Sequence, residues 1–346
     1  MTVDVVCLRP ESDFLEVGVT PPAGLRICYA DPGSVPGDAL AAARALVLPS
    51  VGPRLDRAWL DRAARLRLVQ FTGAGVDRVA DAVGHRPGVV VANVPAANAA
   101  EVAEYVLFAT GAVLRRLAAA DREIWAGRYA QARAALTPAV VHSLHSRTVG
   151  VVGLGHIGMT VARLMRAVGA AVCYADPSPA DPAAAQALGL PRLDLDDLLA
   201  RCDVVTVHVP LVPATRGLLG ERRLRRMRPG SVLVNAARGG VVDEQALARL
   251  LAEGHLGGAA VDVYETEPPP PDSPLLTLPP QAAERVLLTP HIAGVAYEAA
   301  QALYRQAWAN VSRVLLDGAA ARNQVDPGGA PRLTRSPLGL SPGRMP

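Results

Sequence analysis

The stretch "TVGVVGLGHIGMTVARLMRAVGAAVCYADPS", residues 148–178, decides the fold. It opens as an apolar strand, turns on Gly153, Gly155 and Gly158, continues as a helix with one apolar face, and closes on a second apolar strand ending in Asp176. The first glycine permits a tight turn, the second a close backbone approach to a pyrophosphate, and the third close packing of helix on strand. The start of the helix offers unpaired N–H groups and partial positive charge, which suit phosphate. An acid about 20 residues further on can accept hydrogen bonds from ribose hydroxyls, and its charge repels a 2′-phosphate. The complete strand–loop–helix–strand–acid unit therefore predicts a dinucleotide site that takes NAD in preference to NADP.

The same alternation continues on both sides. Upstream, "VDVVCL", "LRICYA", "ALVLPS", "LRLVQF" and "GVVVAN" read as strands, with "VPGDALAAAR" and "LDRAWLDRAAR" as helices between them. Downstream, "DVVTVHVP", "SVLVNAA", "GGAAVDVY" and "RVLLTPHI" read as strands. Apolar strands alternating with helices imply α/β architecture with parallel sheets covered on both faces. Between the two series, "NAAEVAEYVLFATGAVLRRLAAADREIWAG" reads as one long helix, with Asn98 as its N-cap and a glycine at its end. A last helix is expected over 297–317, and the Pro-, Gly- and Arg-rich residues 326–346 read as a disordered tail.

Composition narrows the function. At 346 residues the chain is long enough for two domains, and 50% hydrophobic with 19% charged residues fits a globular protein. Aromatic residues are only 4%, so Ala, Val and Leu must build the cores. A net charge of +3 gives no mandate for nucleic acid or anionic lipid, and the basic run "ERRLRRMRPG" at 221–230 reads as a short helix with a solvated Arg face. No apolar run has the length of a membrane span, and "MTVDVVCLRP" does not read as a signal peptide, so a cytoplasmic protein is expected. Cys7, Cys28, Cys173 and Cys202 have no CxxC spacing and read as free thiols in apolar surroundings, with no metal site expected. All 35 basic residues are Arg, which excludes Schiff-base chemistry and any lysine proton donor.

Three more segments follow strands in the downstream series: "VNAARGGVVD" with Arg238, "VDVYETEPPP" with Glu267 and "LTPHIAG" with His291. Open α/β sheets place their chemistry at the C-terminal ends of strands. An Arg, an acid and a His there, beside a nucleotide crevice, suit anchoring of an anion and transfer of a proton. Singly, each also reads as a surface guanidinium, a solvated acid or a packed ring.

From about residue 45 to 325 the sequence resembles the D-isomer-specific 2-hydroxyacid dehydrogenases. The resemblance rests on "FTGAGVD" (71–77), "NVPAANAAEVAE" (93–104), the glycine loop, "HVPL" (208–211), "VNAARG" (234–239), "DVYETEP" (262–268) and "TPHIAG" (289–294), all in the family's order. It implies two Rossmann-like domains with parallel sheets, the NAD-binding domain being inserted into the substrate-binding domain. Residues 1–98 would be the first part of the substrate-binding (catalytic) domain. Residues 99–296 would be the NAD-binding domain with the connecting helix and dimer segment, and 297–325 the return helix that completes the first domain. It further implies Arg238 as substrate anchor, Glu267 as partner of the histidine and His291 as acid/base in hydride transfer between NAD(H) and a 2-oxo or D-2-hydroxy acid. Glu267 would orient the imidazole and favour its charged form. Backbone N–H groups around Ala74, Gly75 and Val76 would complete the site for the substrate carboxylate. His156 and Ile157 would meet the pyrophosphate, Pro210, Ala236 and Val102 would flank the cofactor, and Asp262 would bind the nicotinamide amide. The segment 98–145, with Trp125 and Tyr129, is where the family makes its dimer contacts, so the resemblance implies a homodimer.

The sequence departs from the family pattern at Ala96, where glycine is usual, at Ala296, where threonine is frequent, and at Ser146-Arg147, where Gly-Lys is common. Glu267, where formate dehydrogenases of the superfamily have glutamine, argues against formate, and the absence of lysine argues against phosphite. Two other readings stay open: an NAD-sensing binding protein of the corepressor type, and a dehydrogenase of an unusual oxoacid such as a phosphonate analogue.

Overall fold

The computed structural model describes residues 3–84, 86–137 and 140–325. The tail expected over 326–346 lies outside the described residues. Two compact units result: one runs to Pro95 and resumes at Gln301, and the other is Ala96–Ala300.

The first unit is built on β1 (Val5–Cys7), β2 (Ile27–Tyr29), β3 (Ala45–Leu48), β4 (Leu68–Phe71), β5 (Val90–Ala92) and β12 (Gln324–Val325), in sheet order β12-β5-β4-β3-β1-β2. β1 to β5 are parallel, and β12 pairs antiparallel with β5 at Gln324–Ala92. β12 was not expected from "NQVD", because two residues carry no alternation that could mark a strand. In this unit Phe14 packs on Tyr304 and Trp308, with ring centroids 4.7 and 5.4 Å away.

The second unit contains β6 (Thr148–Val152), β7 (Ala171–Ala175), β8 (Val204–Val207), β9 (Val232–Asn235), β10 (Gly258–Val261) and β11 (Val286–Leu288), all parallel, in sheet order β11-β10-β9-β8-β6-β7. The strand residues are mainly Val, Leu and Ala, and β8, β9 and β10 are buried throughout, as a sheet covered on both faces requires. One face packs residues such as Leu198, Leu224 and Leu247, and the other Val106, Val161 and Met165. The chain leaves β6 for β7 on one side and returns to β8 on the other. The crevice of an open α/β sheet therefore falls at the ends of β6 and β8.

The long helix expected from Asn98 is broken. It runs over Ala99–Leu114, turns at Arg116 with a left-handed φ of 52°, and restarts as Leu117–Trp125. Asn98 precedes the first helix, but its side chain makes no cap hydrogen bond. The final helix spans Tyr297–Leu315. All four cysteines are free thiols; Cys7, Cys173 and Cys202 are buried and Cys28 is half-buried. Among the described residues no helix is long and apolar enough to cross a membrane.

Candidate active site

β6 ends at Val152, and Gly153 takes the turn with φ at 92°. A Cβ there would press on the His208 backbone and Val209, so this glycine lets the loop lie against the segment that follows β8. A Cβ at Gly158 would run into the Gly153 carbonyl oxygen, so the helix His156–Ala167 can start this close to the strand only with glycine. Gly155 faces open space and precedes the helix, whose first amides, including those of His156 and Ile157, lack intrahelical acceptors. Asp176, just beyond β7, accepts the Leu154 N–H at 2.6 Å and the Ser178 N–H at 2.7 Å. The residues thus form an open cradle of backbone N–H groups with a carboxylate tied to its rim, which fits a dinucleotide pyrophosphate and its ribose.

Next along the sheet edge, burial pushes His208 down to about 3, so it stays neutral, and its Nε2 meets the Thr206 hydroxyl at 2.8 Å. Pro210 beyond it is exposed and Ala236 half-buried. After β9 the chain is folded by Asn235, a residue the sequence reading did not single out. Its Oδ1 accepts the Ala237 N–H at 3.2 Å and its Nδ2 donates to the Arg238 carbonyl at 3.2 Å. An Asn closing a strand before two alanines is a sequence signal for such a turn. Gly239 lies against the Tyr264–Glu265 backbone, where a side chain could not fit, so the Arg238 loop and the Glu267 loop are held together. The Arg238 Nη1 donates to the Ala237 carbonyl at 2.7 Å.

Glu267 stands in a loop after β10 and is followed by a cis Glu267–Pro268 peptide. The Tyr264 N–H donates to its Oε1 at 3.0 Å. The His291 Nδ1 lies 2.8 Å from Oε2 and 3.0 Å from Oε1. Since an ionised carboxylate only accepts, Nδ1 carries a proton here, and Nε2 is left as the nitrogen that can exchange one. Burial alone would raise the Glu267 pKa. The His291 hydrogen bond, the Tyr264 N–H and the charges of His291 and Arg238 outweigh it and hold the carboxyl below its ordinary value.

His291 itself has a left-handed φ of 56°, a strained conformation for a residue with a side chain, though His tolerates it better than most. Its N–H donates to the Asp262 carbonyl at 2.8 Å. The Asp262 side chain accepts the N–H groups of Ile292 and Ala293, each at 2.8 Å, and the Thr289 hydroxyl at 2.6 Å. The structure therefore brings Asp262 onto the His291 loop, a connection that its expected part at the cofactor amide did not suggest. Val102 is buried, close to Gly294 of the same loop. Arg238, Glu267, His291, Asp262, Val102 and the glycine loop all belong to the second unit. Ala74, Gly75 and Val76 belong to the first, in the loop after β4, with Ala74 exposed and its carbonyl accepting from the Asn93 amide at 2.7 Å.

The glycine loop after β6, Arg238 after β9, Glu267 after β10 and His291 after β11 thus follow strands of one parallel sheet. Residues 107–293 match the model of the D-isomer specific 2-hydroxyacid dehydrogenase NAD binding domain, and the chain belongs to that family. The second unit is accordingly an NAD-binding domain. Over 246 residues the chain is 37% identical to a D-3-phosphoglycerate dehydrogenase of Archaeoglobus fulgidus, a match covering 71% of this chain and 45% of that protein. The chain spans about half the length of the phosphoglycerate dehydrogenases it matches. A glyoxylate reductase of Korarchaeum cryptofilum is 35% identical over 246 residues, 70% of this chain and 71% of that protein. The solved D-lactate dehydrogenase of Aquifex aeolicus with NAD and lactic acid superposes with a TM-score of 0.78 at 26% identity, covering 91% of this chain and 95% of that one.

Proposed function

We propose that this protein is an NAD-dependent oxidoreductase that interconverts a 2-oxo acid and a D-2-hydroxy acid. The observation that carries the reading is the His291–Glu267 pair, 2.8 Å apart, on the same sheet edge as Arg238 and the glycine loop. Bound NADH supplies a hydride to the ketone carbon and, in reverse, NAD accepts it. The residues of the chain manage the charge. Negative charge develops on the ketone oxygen as the hydride arrives, and His291 Nε2 delivers the proton that neutralises it. Glu267 accepts from Nδ1 throughout, so the imidazole keeps one orientation while its other nitrogen loses and regains a proton. Arg238 holds the substrate carboxylate or polarises the ketone with its planar fork of donors, which a single ammonium could not match. Asp176 binds the adenosine ribose.

We propose further that the protein works as a homodimer. Phe108, Trp125 and Tyr129 are 69, 85 and 70% exposed on successive helices of the second unit, an apolar surface that a second copy would cover.

Replacing His291 with Gln tests the assignment. Turnover of NADH with a 2-oxo acid should fall by about 10²–10⁴-fold, the range of a general acid, with NADH affinity retained. A loss below threefold would remove His291 from the mechanism.

A further inference from the structure

Four hydrogen bonds to Asp262 fix the left-handed turn at His291, and the residue that completes this arrangement lies far away in sequence. Tyr105 is on the helix Ala99–Leu114, and its hydroxyl is 2.6 Å from the Thr289 Oγ1, across 184 residues of chain. The direction of this bond follows from its neighbours. Thr289 spends its only hydroxyl proton on Asp262 Oδ1, at 2.6 Å, so its oxygen must accept from Tyr105. Burial, with Asp262 and Tyr264 nearby, pushes the Tyr105 phenol up to about 12 despite the Thr289 hydrogen bond, so it remains a donor. The Thr289 carbonyl is held as well, accepting the Tyr264 hydroxyl at 3.0 Å. The same helix supports the far end of the loop, where a Cβ at Gly294 would meet the Asn98 amide and Val102.

We infer that Tyr105 is a positioning residue for the acid/base histidine: its hydroxyl locks Thr289 onto Asp262, and Asp262 then sets the backbone from which His291 reaches Glu267. This rests on the reductase reading of the site. Packing alone would be served equally by phenylalanine, so the hydroxyl is the part with a role. With Asp262 less well anchored, the loop relaxes from its strained turn and the Nδ1–Glu267 bond lengthens. Productive proton transfer then becomes rarer while the cofactor cradle, on other strands, is untouched.

Tyr105→Phe in the full-length protein tests this. The expected result is a kcat for 2-oxo acid reduction about three- to tenfold lower, the scale of one lost hydrogen bond, with KM for NADH unchanged. Amide exchange at Ile292 and Ala293 should quicken while Gly153–Gly158 exchanges as before. Thr289→Val should act in the same direction, and Thr289→Ser, which keeps the hydroxyl, should recover most of the loss. An unchanged kcat and Ile292–Ala293 exchange in Tyr105→Phe overturns the inference, even with a lower Tm. Wild-type turnover in the same assay separates the two failures: an inactive wild type contradicts the reductase reading, whereas the exchange rates judge Tyr105 independently of turnover.

Discussion

The chain winds the same sheet twice and equips only one copy for a nucleotide. Both units run outward from a central strand, β1 or β6, to one neighbour on one side and to a series of parallel strands on the other, three in the first unit and four in the second. After β1 the chain continues through Leu8, Arg9 and Pro10 into a helix of six residues, Glu11–Glu16, and Arg9 fills the turn by pairing with Asp13 and lying 4.9 Å from the Tyr304 ring. After β6 Gly153 and Gly155 lead into a helix of twelve residues that carries Gly158 in its first turn, and Gly155 faces open space. The topology is shared, and the difference lies in which side chains are missing. A fold supplies strand ends, and a site requires that one of those ends be kept bare.

The sharpest way to break this comparison is to fill the bare end. Gly158→Ala puts a methyl group against the Gly153 carbonyl and should weaken NADH binding by about 10²-fold or more, on the scale of a displacement near 1 Å at a site. Titration of the variant with NADH measures it, and near-normal affinity would mean that the loop does not form the cradle. A smaller effect is expected at the rim. Asp176→Ala should narrow the preference for NADH over NADPH by about tenfold, since a charge-assisted hydrogen bond to ribose is lost together with the repulsion of a 2′-phosphate. Comparison of kcat/KM for the two cofactors checks this, and an unchanged ratio would place the discriminating acid elsewhere.

The smallest effect concerns the other end of the same sheet edge. Glu267 is held below its ordinary value of 4.5 in the folded chain. Its contribution to stability is therefore complete above that value and disappears as pH falls through the lower folded one. On acidification below about 4.5, the Tm of the wild type should fall more steeply than that of Glu267→Gln, which has no proton to take up. Parallel curves would show that the His291 contact leaves the carboxyl unperturbed.

Legibility in the sequence followed distance along the chain. The glycine loop was readable because its strand, turn, helix and acid occupy residues 148–178 without interruption. The parallel strands were readable because burial on both faces leaves apolar runs such as "ALVLPS" and "DVVTVHVP". Arg238, Glu267 and His291 could be singled out as polar residues after strands, but only the resemblance assigned each its role, since no local pattern links three strand ends. Tyr105, Thr289 and Asn235 remained hidden as parts of the site, because a tyrosine on an apolar helix and a threonine after a strand look like ordinary packing until their partners are known. The break at Arg116 was obscured by a sequence that keeps strong helix formers on both sides of it. Ala96, where the family usually has glycine, turned out to hold a left-handed φ of 65°, which gives that departure a physical meaning.

The central claim is that the equipped unit carries out a hydride transfer in which His291 manages the proton. It is tested most directly by following NADH consumption across a panel of 2-oxo acids with the wild type and His291→Gln side by side. The account predicts steady turnover of at least one 2-oxo acid by the wild type and a loss of about 10²–10⁴-fold in the variant at equal NADH affinity. NADH binding without turnover of any acid on the panel, or a variant as active as the wild type, would contradict it.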